Sequence, residues 1–165
     1  MIAADGGAGR PFSAEVWDER ETWCRDRLAR HQRDALSRQL ARLHAASPFW
    51  RERFAAAGFA PGDLRDLGDL AALPFTAKED VRAAVAADPV APSPLATPPE
   101  AVLRVHFSSG TTGTPTPMYW TRADLSRWAD LYARYLYAHG LRAGALFHCM
   151  LGYSWFVGGL GATAA

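Results

Sequence analysis

The chain has 165 residues, 49% of them hydrophobic, which is enough for one domain with its own core. Its 18 Lys and Arg face 17 Asp and Glu, and the arginines from Arg10 to Arg53 are interleaved with Glu15, Asp18, Glu19, Glu21, Asp26 and Asp34, a pattern that argues against the one-signed basic stripe of a nucleic-acid binder. Two isolated cysteines, Cys24 and Cys149, with no CxxC or Cys/His cluster, argue against a disulfide framework and a metal site and suggest a reducing, cytoplasmic setting.

Met1 to Arg10 is Gly/Ala-rich and lacks the charged-then-apolar order of a secretory signal; residues 1–12 are expected to form a disordered tail. A helical arm is expected over 13–88. Ser13 is its candidate N-cap, with Glu15 in the first turn. Trp17, Cys24, Leu28, Ala35, Leu36, Leu40 and Leu43 then form one apolar stripe. Ser47-Pro48 breaks the helix, because proline disfavours helical geometry in the residue before it. A short helix over Phe49 to Ala57 ends at Gly58, and Pro61-Gly62-Asp63 marks a turn. Thr76 to Glu79 reads as a capping box opening a helix from Lys78 to Ala87. Glu79 and Asp80 could be taken for an acid–base pair, but stabilisation of the helix N-terminus explains them more simply.

A proline-rich connector follows over 89–100. Val102 to Phe107 reads as a strand, a Gly/Ser/Thr loop interrupts, and Met118 to Trp120 resumes extended structure. Thr121 and Asp124 form a second capping box. It opens a helix carrying Leu125, Trp128, Leu131, Tyr132, Tyr135 and Leu136, closed by Gly140. The aromatics of this helix are read as core and not as a surface for stacking bases. Ala145 to Leu151 reads as a buried strand followed by a Gly-rich loop. The stretch from Ala143 to Ala165 carries no Asp, Glu, Lys or Arg, yet its glycines, His148, Tyr153 and Ser154 argue against a membrane span. His106 lies beside the loop and His148 beside Cys149. No acidic residue that would orient either is recognisable, so both are read as structural.

The stretch Phe107 to Pro117 carries the chemistry. Gly110 and Gly113 allow backbone conformations closed to other residues, so successive amides can turn inward around an anion. Ser108, Ser109, Thr111 and Thr112 add hydroxyls with little bulk, and Pro115 and Pro117 stiffen the exit. Composition alone fits a polar hairpin loop equally well. The Gly-Lys-Ser/Thr ending of a Walker A loop is absent.

The order Ser-Ser-Gly-Thr-Thr-Gly-x-Pro resembles the phosphate-binding motif of adenylate-forming enzymes: acyl–CoA synthetases, luciferases and peptide-synthetase adenylation domains. Most of that superfamily has Lys after the proline; Thr116 stands there, as in the phenylacetate–CoA ligase group. Four further blocks resemble the same group: Ser47 to Phe54, Asp69 to Asp80, Tyr119 to Leu125, and Gly152 to Gly161. The resemblance implies an α/β fold, with residues 101–165 the start of an AMP-binding domain with an incomplete sheet. It implies that Ser108, Ser109, Gly110, Thr111, Thr112 and Gly113 bind ATP phosphates. It further implies that a carboxylate is activated to an acyl-adenylate, usually with Mg²⁺, and passed to CoA. Partners would be the acid, ATP and CoA, with neither nucleic acid nor membrane; a homodimer is compatible with it.

The tail block resembles the family's acyl-pocket segment. Leu151, Tyr153, Phe156, Gly158 and Gly159 are its candidate pocket residues, although plain core packing would also account for Tyr153, Trp155 and Phe156. Leu151 stands where the family commonly has a tyrosine, and Trp155 adds bulk. The expected substrate is therefore an aromatic or related hydrophobic acid and not phenylacetate in particular. The family's adenine and ribose residues, hinge and lysine-bearing C-terminal domain have no counterparts here. No catalytic residue is assigned, and the chain is expected to be a fragment that binds ATP weakly or not at all and makes no thioester. A nucleotide-binding module without catalysis and a non-functional remnant are the alternatives.

Overall fold

A computed structural model describes residues 16–108, 115–153 and 157–164. The tail, Ser13 and Glu15 lie outside the described residues. Helices α1 (Arg25–Ala46), α2 (Pro48–Ala56) and α3 (Lys78–Ala87) precede strands β1 (Val102–Phe107) and β2 (Pro117–Thr121). Helices α4 (Arg122–Ala138) and α5 (Val157–Ala164) follow.

The first helix starts later than the apolar stripe suggests. The Asp18 carboxylate accepts from the Arg20 amide at 2.8 Å and caps a short 3-10 turn over Glu19–Thr22. Trp23 then turns extended, and α1 begins anew after Cys24. Trp17 therefore leaves the stripe; its indole donates to Asp130 of α4 at 2.8 Å. Cys24, the exposed N-cap of α1, leaves it too, while Leu36, Leu40 and Leu43 pack with Phe54, Phe59, Leu64 and Leu73 in one core.

Ser47 ends α1 and caps α2, accepting from the Trp50 amide at 3.4 Å. Its hydroxyl donates to the Ser93 carbonyl at 2.6 Å, so this buried serine also ties down the proline-rich connector. Gly58, at φ +62°, reverses the chain after α2, and the Phe59 amide reaches back to the Phe54 carbonyl at 2.9 Å.

The cap of α3 differs from the expected box by one residue. Ala77 is the N-cap, and Asp80, not Glu79, accepts from its amide, at 2.9 Å. Asp80 wins because it also pairs with Arg53 of α2, whereas Glu79 lies on the open side of the helix.

Strands β1 and β2 form a two-stranded antiparallel sheet, pairing Val105 with Tyr119 and Phe107 with Pro117. The Thr121–Asp124 box forms as expected: the Thr121 amide donates to Asp124 at 3.0 Å, and the Asp124 amide donates to the Thr121 hydroxyl at 3.3 Å. Helix α4 folds onto β2, with Trp128 stacked on Trp120 at 5.2 Å between ring centres. Tyr135 is exposed, so the aromatic stripe is core only over Trp128 and Tyr132. Gly140 closes the helix at φ +90°.

Two expectations for the tail fail. Ala145 to Leu151 pairs with no strand among the described residues, and Leu146 and Met150 are 98% and 88% exposed. An apolar run becomes a buried strand only by pairing with a neighbouring strand, and among the described residues the sheet consists of β1 and β2 alone. The expected Gly-rich loop is instead helical over Val157–Ala164. Packing overrides the poor helix propensity of glycine there: a Cβ on Gly161 would lie 2.6 Å from Tyr132 and 2.7 Å from Trp128, so only glycine lets α5 seat on α4.

Candidate functional site

The antiparallel register of β1 and β2 brings both ends of the Gly/Ser/Thr loop together. The Ser108 amide donates to the Thr116 carbonyl at 3.0 Å, and the Thr116 amide donates to the Ser108 hydroxyl at 3.0 Å. Ser108 is thus a clasp at the loop's mouth, with its hydroxyl proton still able to meet an acceptor. Ser109, Gly110, Thr111, Thr112 and Gly113 lie outside the described residues.

The Thr116 side chain is nearly buried, and its hydroxyl accepts from the Arg82 guanidinium of α3 at 3.3 Å. Sequence reasoning missed this arginine. The two residues are 34 positions apart, and nothing in the local pattern of α3 marks Arg82. A cleft of about 500 Å³ lies beside them, between α3 and the loop's exit at Pro115 and Pro117.

His106 of β1 is 1% exposed, with Trp120 at 5.7 Å and Trp128 at 5.4 Å. Burial, and secondarily the Arg104 charge, lower its pKa from the ordinary 6.5 and favour the neutral ring. This is a packed histidine, as read from the sequence.

The second candidate group is Leu151, Tyr153, Gly158 and Gly159; Phe156 lies outside the described residues. Leu151 and Tyr153 are about half exposed. The Cys149 thiol beside the Tyr153 hydroxyl is the main cause of a phenol pKa raised above 10.0. The glycines make room for the chain itself. A Cβ on Gly159 would lie 2.6 Å from the Gly152 carbonyl oxygen, and one on Gly158 would lie 2.9 Å from Leu151. Helix α4 joins the two groups, carrying Trp128 against β2 on one side and against Gly161 of α5 on the other. Among the described residues no cluster of His, Cys, Asp or Glu could hold a metal, and no helix is long and apolar enough to cross a membrane.

The chain is similar to known proteins over most of its length. No family model matches the chain. The chain is 43% identical over 145 residues to the phenylacetate–coenzyme A ligase of Pseudomonas putida, covering 88% of this chain and 32% of that protein. It belongs to the phenylacetate–coenzyme A ligase family. The Thermus thermophilus and Escherichia coli ligases are 42% and 40% identical over 143 and 145 residues, covering 87% and 88% of this chain and 31% and 32% of theirs. The chain thus spans about a third of the length of the curated ligases it matches.

Among solved structures, 2-hydroxyisobutyryl-CoA ligase in complex with 2-HIB-AMP and CoA superposes with a TM-score of 0.80 at 30% identity. The match covers 99% of this chain and 35% of the other. The same ligase in the postadenylation state with 2-HIB-AMP gives 0.79 at 27% identity, covering 99% and 34%. The helical arm, the hairpin and the tail helix are therefore all shared architecture of CoA ligases, and the two-stranded sheet is the part of the family's α/β domain that this chain supplies.

Proposed function

We propose that the chain supplies the phosphate loop and one wall of the acyl pocket to an ATP-dependent ligase for an aryl or related hydrophobic carboxylic acid. A carboxylate oxygen attacks the α-phosphorus of ATP, the bond to the β-phosphate oxygen breaks, and acyl-adenylate and pyrophosphate form. The CoA sulfur then attacks the acyl carbon, the bond to AMP breaks, and the thiol proton is released.

In this reading Ser108, Ser109, Gly110, Thr111, Thr112 and Gly113 hold the β- and γ-phosphates. Their contribution is a fixed set of amide and hydroxyl donors around the departing pyrophosphate, which is electrostatic preorganisation and not covalent chemistry. Mg²⁺, usual in this family, would accompany the ATP phosphates as part of the substrate. Leu151 and Tyr153, with Phe156, would face the acyl group; Gly158 makes room for the Leu151 side chain, and Gly159 lets α5 approach the backbone at Leu151 and Gly152. Two unpaired cysteines support a cytoplasmic setting.

The observation that carries the reading is the clasp between Ser108 and Thr116, which closes a Ser/Gly/Thr loop in a chain 43% identical to a phenylacetate–CoA ligase. The test is a chimera in which this chain replaces the matched third of the Pseudomonas putida enzyme. A folded chimera is expected to exchange pyrophosphate into ATP when an aryl acid is added. A soluble chimera that exchanges with no acid would sink the proposal.

A further inference from the structure

We propose that Arg82 is a positioning residue for the Ser/Gly/Thr loop, acting from α3 through Thr116; this rests on reading that loop as the phosphate site. Thr116 is where the loop's closure and the docking of the helical arm meet. Its amide donates to the Ser108 hydroxyl, its carbonyl accepts from the Ser108 amide, and its hydroxyl accepts from Arg82. Pro115 and Pro117 flank it, and neither has an N–H to donate. Within this exit, Thr116 therefore supplies the only backbone donor.

Arg82 is well placed to hold that position. Two residues earlier, Asp80 closes the N-terminus of α3 and pairs with Arg53 of α2, whose guanidinium lies 4.7 Å over the Phe49 ring. The helix that carries Arg82 is thus tied to the rest of the arm. The Arg82 side chain is only 26% exposed, and the Glu79 carboxylate at 4.0 Å partly balances its charge. A second hydrogen bond crosses the same seam, from the Tyr119 hydroxyl to the Pro89 carbonyl at 3.1 Å. The arm therefore forms the back wall of the loop's exit. Lysine at position 82 would keep the charge but lose the Nε–H of a preorganised planar fork.

The test compares amide hydrogen exchange in the 165-residue chain and in Arg82→Ala, Arg82→Lys, Thr116→Val and the Arg82→Ala/Thr116→Val double variant. Without ligand, Arg82→Ala and Thr116→Val are expected to speed exchange of the Ser109–Thr114 amides about tenfold, with the Val105 ladder amide unchanged. Arg82→Lys is expected to restore less than half of the loss on a logarithmic scale. The double variant should fall short of the sum of the two single ones, because both remove the Arg82–Thr116 hydrogen bond. Equal loop exchange in wild type and variants would overturn the proposal, and so would additive effects in the double variant. Inorganic pyrophosphate tests the underlying reading separately. If it slows no loop amide in the wild type, the phosphate site fails, while the ligand-free comparison still decides the role of Arg82.

Discussion

Ser108 and Thr116 hold each other across the mouth of the loop by two hydrogen bonds of 3.0 Å, one through backbone groups alone and one through the serine hydroxyl. The hydroxyl bond has a separable worth. Ser108→Ala leaves the part-buried Thr116 amide without its acceptor and should cost about 1 kcal/mol in denaturant unfolding, with Ser108→Thr close to wild type. Equal stability of Ser108→Ala and wild type would show that the clasp does not depend on the side chain.

Asp80 and Glu79 are adjacent, chemically alike and structurally unequal. Asp80 caps the Ala77 amide and pairs with Arg53, while Glu79 is largely exposed. Asp80→Ala should therefore destabilise the arm by about 1–2 kcal/mol, a lost cap plus a part-exposed ion pair, and Glu79→Ala should lie within about 0.5 kcal/mol of wild type. Chemical denaturation of the two variants checks the order, and a larger loss at Glu79 would contradict the assignment.

The features legible in the sequence were those set by local chemistry. Ser47-Pro48, the Thr121–Asp124 box and Gly140 each act within a few residues, and each stands where the pattern places it. The motif blocks likewise led to the family, because their order is itself sequence. What the sequence could not show depends on distant partners. The late start of α1 turns on Asp18 capturing the Arg20 amide, with Trp17 drawn to Asp130. The choice between Glu79 and Asp80 turns on Arg53, 27 residues before Asp80. The helical tail turns on a slot between Trp128 and Tyr132 that only glycine fits. Arg82 escaped notice for the same reason, its partner being 34 positions away.

Gly161 tests that slot. A single methyl group there would overlap both rings, so Gly161→Ala is expected to cost about 1–3 kcal/mol despite the better helix propensity of alanine. Near-ultraviolet circular dichroism should report the displaced tryptophan. A stabilised Gly161→Ala variant would show that α5 does not rest on α4 as described.

His106 makes folding sensitive to acid in a defined window. Its folded pKa lies below the ordinary 6.5, so below that pH the unfolded chain binds a proton that the folded chain resists. Its contribution to stability is complete above 6.5 and is lost as pH falls through the folded value. Asp34, Asp69 and Asp124, all lowered from 3.8, act in the same direction but only at lower pH. Thermal midpoints of wild type and His106→Phe should diverge in slope as pH falls below the ordinary 6.5, the variant being flatter. Parallel slopes would mean that the imidazole titrates normally in the fold.

The account stands on the loop between Ser108 and Thr116 recognising a polyphosphate. The most direct measurement is amide chemical-shift mapping by NMR as ATP, pyrophosphate and AMP are titrated into the chain. ATP and pyrophosphate are expected to move the Ser109–Gly113 amides most, with weak affinity, and AMP to move them least. Equal responses to AMP and ATP, or shifts that leave those five amides in place, would contradict it.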